Sequence, residues 1–170
     1  MFASHDYDVG TFSQIEHKII VKNSQPINLP ARKIPYALED KVNLMVQEML
    51  ENGIIQPSVS AWNSPLVVVP KKNGKLRICL DYRKLNSVTD KPVFQIPSST
   101  DLFDRLGGSS VFTTLDLSKG YYQIPMSPED REKTAFSTPQ GHFEFVRMPL
   151  GFRVPHQLFK ELCQLFFVRK

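Results

Sequence analysis

Three groups of residues have the types and spacing for phosphate chemistry. Lys71, Lys72, Lys75, Arg77, Arg83 and Lys84 put six cations within fourteen positions, with Asp81 as the single acid among them. That stretch carries +5 of a chain whose formal total is +4, so the remainder sums to −1. Ammonium and guanidinium groups at a hairpin grip phosphates, the guanidinium through paired N–H donors. The alternative is that lysines at a hairpin tip are solvated and guard an edge strand. The second group is Asp116 within Phe112-Thr-Thr-Leu-Asp-Leu117. An acid ending an apolar strand is costly to bury unless it is paired or holds a cation, and magnesium prefers hard oxygen donors. Taken alone, a strand-end aspartate capping the next turn is the simpler reading. The third is Gly120-Tyr121-Tyr122, four to six residues further on. An aromatic beside a metal-bound nucleotide can stack on its sugar or exclude a hydroxyl, although tyrosines more often pack in a core.

These residues need elements to hold them. Leu38, Val42, Met45, Val46, Met49 and Leu50 recur at helical spacing and Gly53 follows, which predicts a helix over about 37–52. Residues 65–70 and 76–82 read as a strand pair. In the second, Leu76, Ile78, Leu80 and Tyr82 face one side and Arg77, Cys79 and Asp81 the other. Asn73-Gly74 between them suits a tight hairpin turn with both positions at positive φ. Ser98 to Leu106 reads as a short helix ended by Gly107-Gly108, and 110–117 as a strand. A second hairpin is expected over 133–147 with its turn at Pro139-Gln140-Gly141, then a strand-to-turn segment at Arg147–Phe152. Leu158, Phe159, Leu162, Leu165 and Phe166 form a helical stripe near the end. Ile19-Ile20-Val21 and Ile27-Asn28-Leu29 read as short extended pieces among prolines. Helices interleaved with hairpins give an α+β fold.

At 170 residues the chain is the size of one domain, and 41% hydrophobic content is enough for a core. No run of about 18 apolar residues suggests a membrane span, and residues 1–10 lack the apolar stretch of a secretory signal. Two cysteines, Cys79 and Cys163, are too few for a disulfide scaffold or a zinc finger. The four histidines show no metal-ligand spacing. The expectation is an intracellular protein with free thiols.

Read in order, several segments resemble one family. Phe112-Thr-Thr-Leu-Asp-Leu-Ser-Lys-Gly-Tyr-Tyr-Gln-Ile124 resembles the first catalytic motif of retroviral-type reverse transcriptases, most closely the gypsy-type long-terminal-repeat retrotransposons. Gly53-Ile-Ile-Gln-Pro-Ser58 with Trp62-Asn-Ser-Pro65 resembles the lead-in to the fingers. The segment from Val69 to Asn86 resembles the fingers hairpin that contacts nucleotide. Glu132–Phe136 and Gly141–Pro149 resemble the stretch that returns to the palm. The likeness covers about residues 15–153.

The resemblance implies the fingers and a partial, truncated palm of a right-hand polymerase. Residues 1–14 would be an irregular N-terminal segment. Fingers would span about 15–91 and 124–146, and palm about 92–123 and 147–170. It implies that Asp116 is catalytic and holds two Mg2+ ions with help from the Leu117 carbonyl. Lys71 and Arg77 would grip the incoming triphosphate, Tyr121 would be the steric gate against ribose, and Leu150 and Gly151 would line the pocket opposite Arg77. Asp81 and Arg83 would lie along the template. The partners implied are an RNA or DNA template with primer, deoxynucleoside triphosphates and, in an intact element, protease, ribonuclease H and integrase in one polyprotein. Localisation would be cytoplasmic or in retroelement particles.

Two departures stand out. The family's Tyr-x-Asp-Asp turn is missing, since no Asp-Asp pair occurs in these residues. One carboxylate is too few for two divalent ions. The family's Gly-Leu-x-Asn-Ala-Pro-x-x-Phe is here Gly151-Phe-Arg-Val-Pro-His-Gln-Leu-Phe159, with its proline one position early. The expectation is therefore a polymerase fragment inactive alone. The alternatives are a non-catalytic nucleic-acid-binding remnant or domesticated module, or a pseudogene product.

Overall fold

The computed structural model describes residues 9–10, 15–22, 25–71, 74, 76–90, 100, 104, 107–108, 110–111 and 119–152. Residues 1–90 with 119–153 form one compact unit, and 91–118 with 154–170 a second. The predicted strand 110–117, apart from its first two residues, and the predicted stripe 158–166 lie outside the described residues. So does most of the predicted helix 98–106. Its described members Thr100 and Asp104 are helical, and the Gly107 N–H donates to the Asp104 carbonyl at 3.3 Å.

In the first unit, α1 (Tyr36–Glu51) buries Val42, Val46 and Met49, as its apolar spacing predicts. Its end is a Schellman motif. The Ile54 N–H donates to the Met49 carbonyl at 2.9 Å and the Gly53 N–H to the Leu50 carbonyl at 3.1 Å, with Gly53 at φ +63. The chain turns directly into β1 (Ile55–Pro57), a strand too short for an alternating pattern to reveal.

β2 (Leu66–Pro70) and β3 (Leu76–Leu80) pair antiparallel, with Leu66 opposite Leu80 and Val69 opposite Arg77. Pro70 faces Leu76, so the connection is a five-residue loop, wider than the tight turn Asn73-Gly74 suggests. Its hydrogen bond runs from the Gly74 N–H to the Lys71 carbonyl at 3.0 Å, with Gly74 at φ +76. The short helix α2 (Arg83–Val88) follows, burying only Leu85 and so leaving no stripe to read in the sequence. A 3-10 turn covers Gly120–Gln123 and a longer 3-10 segment Pro128–Thr134. β4 (Phe136–Thr138) and β5 (Gly141–Phe145) form the second hairpin around Pro139-Gln140. It starts later than residue 133 because Lys133 and Thr134 belong to the 3-10 segment. β1 joins β5, giving a sheet of order β1-β5-β4 beside the two-stranded β2-β3 sheet.

The core lies between these sheets and α1: Ile54, Ile55, Leu66, Tyr82, Leu85, Phe136, Phe145 and Met148 are all buried. Phe136 and Phe145 meet at 5.4 Å between ring centroids. The extended N-terminal pieces act as a belt. His17 bridges to Met126, Val21 to Thr89 and Asn28 to Asn63. Asp130, 8% exposed, accepts a 2.9 Å hydrogen bond from the Ile19 N–H and is ion-paired with Lys133, whose ammonium also donates to the Ile19 carbonyl. A carboxylate so buried is tolerable because it is paired and hydrogen-bonded.

His17 is 3% exposed, its Nε2 has no hydrogen-bond partner, and its ring meets Phe152 edge-on at 5.6 Å. Burial pushes its pKa down from 6.5 to about 4, with Asp130 opposing weakly. The unfolded chain therefore binds a proton below pH 6.5 that the folded chain refuses until about pH 4. Stability falls as pH falls through that window, by up to about 3 kcal/mol. Urea midpoints at pH 7 and 4.5 measure it. His17→Leu should flatten this part of the pH dependence, and a slope unchanged in that variant would contradict the assignment.

Candidate phosphate-binding site

The β2-β3 hairpin carries the candidate cations. Arg77 faces outward from β3 while its neighbours Ile78 and Leu80 are buried, as the alternation requires. Lys71 follows the last residue of β2 and is exposed. Among the described residues neither is in an ion pair.

Both line a pocket of about 250 Å³. Leu76 and Ile78 of the hairpin, Met45 and Met49 of α1, and Lys119, Tyr122 and Leu150 complete its wall. Among the described residues no carboxylate lines it. The pocket has Lys71, Arg77 and Leu150 on its wall. Gly151 holds Leu150 in place. It sits at φ +95, a Cβ there would lie 3.1 Å from the Leu80 carbonyl oxygen, and its own carbonyl accepts from Asn86 Nδ2 at 3.1 Å.

The tyrosines divide. Tyr122 is buried, lines the pocket and stacks on Phe145 at 6.4 Å. Tyr121, the expected gate, is half-buried and is not part of the pocket wall. Lys119 and the α1 methionines are wall residues that the sequence reading passed over. The methionines belong to the apolar stripe of α1, and nothing local distinguishes Lys119 from a solvated lysine.

Asp81 and Arg83 form a second cluster. Arg83 donates to Asp81 through Nε at 2.8 Å and through its terminal nitrogen at 2.6 Å, and Arg32 donates to the same carboxylate at 2.8 Å. Hydrogen bonding from Arg83, with the charge of Arg83 and Arg32, holds the Asp81 carboxyl down at about 2 against a smaller opposing effect of burial. Arg32, from the N-terminal belt, went unnoticed in sequence because 49 residues separate it from Asp81. The guanidinium of Arg83 stays largely in solvent.

Asp116 and Leu117 lie outside the described residues. Among the described residues no group of three or more His, Cys, Asp or Glu could hold a metal ion.

Residues 69–167 match the family model described as reverse transcriptase (RNA-dependent DNA polymerase). The chain belongs to the reverse transcriptase family. It is 41% identical over 161 residues to the retrovirus-related Pol polyprotein from transposon 297 of Drosophila melanogaster, covering 89% of this chain and 15% of that protein. The corresponding polyprotein from transposon gypsy of the same organism is 40% identical over 144 residues, covering 81% of this chain and 14% of the polyprotein. Native prototype foamy virus protease-reverse transcriptase superposes with a TM-score of 0.81 at 26% identity, covering 95% of this chain and 22% of that one. The mixed helix-and-strand fold is therefore the reverse transcriptase polymerase fold, here as part of a retroelement Pol reverse transcriptase domain. Reverse transcriptases in general work with a divalent metal ion. No helix of the described residues is long and apolar enough to cross a membrane.

Gly151→Ala should destabilise the reverse transcriptase fragment by about 1–3 kcal/mol, since the alanine meets both a positive φ and a close carbonyl. Thermal or urea unfolding measures this. A variant as stable as the parent would mean that the 150–152 turn moves freely.

Proposed function

We propose that the chain is the nucleotide-gripping and template-gripping part of a retroelement RNA-directed DNA polymerase. The observation that carries this is the convergence of Lys71, Arg77 and Leu150 on one pocket. In this reading Lys71 and Arg77 take the triphosphate of an incoming deoxynucleotide, Leu150 and Gly151 form the opposite wall, and Tyr121 is the gate against ribose. Asp81 orients Arg83 toward the template backbone, which the ion-pair geometry supports because it fixes the guanidinium while leaving it in solvent.

The reaction in the whole enzyme is attack of a primer 3′-hydroxyl on the α-phosphorus, forming the new phosphodiester bond as pyrophosphate leaves. Asp116 and the Leu117 carbonyl would hold a magnesium ion, which would supply charge neutralisation for the transfer. Template and primer, RNA or DNA, are the macromolecular partners. Residues 15–91 and 124–146 serve as fingers and 92–123 with 147–170 as incomplete palm, with 1–14 outside both. Protease, ribonuclease H and integrase belong to the intact polyprotein, which acts in the cytoplasm or in retroelement particles.

These 170 residues contain no Asp-Asp pair and are not expected to polymerise by themselves. Primer extension with magnesium and deoxynucleotides checks this, and Asp116-dependent extension would refute it. Triphosphate binding is expected to remain. Titration with deoxythymidine triphosphate should show Lys71→Ala and Arg77→Ala each weakening binding about tenfold or more. Salt-sensitive binding of single-stranded RNA together with no triphosphate binding would favour a nucleic-acid-binding module instead.

A further inference from the structure

Arg83 and Asp81 by themselves do not make a cationic site. Arg83 donates through Nε to Asp81 Oδ1 at 2.8 Å and through Nη2 to Oδ2 at 2.6 Å, which spends the side edge of the guanidinium on one carboxylate. Hydrogen bonding from Arg83 holds that carboxyl down at about 2, so it is ionised at neutral pH and the pair sums to zero. A phosphate approaching the pair would meet a carboxylate as well as a guanidinium, and like charges side by side repel. Arg32 changes this balance. Its Nη2 donates to the same Oδ2 at 2.8 Å, so the three groups together carry one net positive charge. The Asp81 side chain is 13% exposed, against 84% for Arg83 and 53% for Arg32, so water meets chiefly the two guanidinium groups.

The place of Arg32 is set by its own stretch of chain. The Leu29 N–H donates to the Asn63 carbonyl at 2.9 Å, Ile34 is buried, and α1 starts at Tyr36, so Arg32 lies in a short span between fixed points. Asp81 is fixed in turn by its own N–H, which donates to the Pro65 carbonyl at 2.9 Å beside the β2-β3 pair. Bonds from both sides hold the carboxylate, and Arg83 follows it. With Nε and one Nη2 hydrogen engaged, the outer edge of Arg83 keeps the paired N–H donors that match a phosphate. A surface ion pair adds little to folding, so stability does not account for the third member. We infer that Arg32 is a positioning residue for template binding: acting through Asp81, it gives the cluster its net positive charge and fixes the outer edge of Arg83 toward a nucleic-acid phosphate. This rests on the proposed reading of Arg83 as a template contact. The N-terminal belt thereby becomes part of the template grip, although its own contribution is made through a residue of the hairpin.

The test follows the anisotropy of a labelled oligouridylate with the full 170-residue chain over a series of salt concentrations. Arg32→Ala should weaken binding about fivefold at low salt and flatten the logarithmic salt dependence by about 0.7, the value of one single-strand phosphate contact. Arg83→Ala should do at least as much. Arg32→Lys restores the charge and should keep most of the affinity. Asp81→Asn added to Arg32→Ala should recover most of the loss, because Arg83 then no longer shares its phosphate with an unshielded carboxylate. A purely structural defect would not be repaired by that second change. The unfolding midpoint of Arg32→Ala should stay close to that of the parent. Parent-like binding by Arg32→Ala, with Arg83→Ala weakened, would overturn the inference and leave Arg83 in its role. Failure of Asp81→Asn to recover binding would also overturn it. Parent-like binding by Arg83→Ala would overturn the template reading itself.

Discussion

The site depends on a hydrogen bond from a buried phenol. Tyr82 is 1% exposed, and its hydroxyl donates to the Thr134 carbonyl at 2.9 Å. Burial pushes its pKa well above 10, so the hydroxyl keeps its proton and remains a donor. A two-stranded hairpin alone is marginal in water. The β2-β3 hairpin escapes that limit because Tyr82, two residues past its end, ties it to the segment that feeds β4. Thr134 is used three ways: its carbonyl accepts from Tyr82, its hydroxyl donates to the Arg131 carbonyl at 2.6 Å, and the same hydroxyl accepts from the Phe145 N–H at 2.8 Å. One residue, through its backbone carbonyl and its hydroxyl, thereby links the hairpin to the three-stranded sheet. Arg77 projects from a strand whose far end is fixed this way. Tyr82 also packs on Phe152 at 5.0 Å, which brings the 150–152 turn into the same cluster.

The N-terminal belt supplies the other constraint. It makes little regular structure, yet its backbone groups are taken up at widely spaced points. Leu29 N–H donates to Asn63 O, Asn63 N–H donates to Ile27 O, and Asn63 Nδ2 donates to Leu29 O. Burying such a segment without partners would be costly, so its path is set by where partners exist. The Arg32–Asp81–Arg83 cluster is different in kind. It is at the surface, where ion pairs contribute about 0–1 kcal/mol, so its geometry speaks more to orienting Arg83 than to holding the fold.

The parts legible in the sequence are those whose information is local. The stripe Val42, Val46, Met49 with Gly53 beyond it specified α1 to within a residue. The alternation from Leu76 to Tyr82 specified which side of β3 is buried. The likeness of Val69–Asn86 and of Phe112–Ile124 to one family identified the family. The illegible parts are non-local. β1 is three residues long and exists because β5 offers it an edge. Arg32 meets Asp81 only after the belt has wrapped the unit. Lys119 reads as an ordinary lysine until α1 and the hairpin close around it. Asn73-Gly74 misled on loop width because the register Pro70–Leu76 is set by the packing of Leu66, Ile78 and Leu80, which the turn must then accommodate.

The distribution of strain follows the same logic. At the pocket, the wall residue Lys119 and Gly151, next to the wall residue Leu150, lie at positive φ. Gly151 solves the problem by having no side chain, since a Cβ would approach the Leu80 carbonyl to 3.1 Å. Lys119 keeps its side chain and accepts the unfavourable backbone. A fold selected only for stability would be expected to carry glycine or asparagine at both. The lysine keeps a side chain where its backbone conformation disfavours one, whereas Gly151 meets the same constraint with none, and the packing of Phe152 on Tyr82, itself bonded to the Thr134 carbonyl, holds the turn around Gly151 in that geometry.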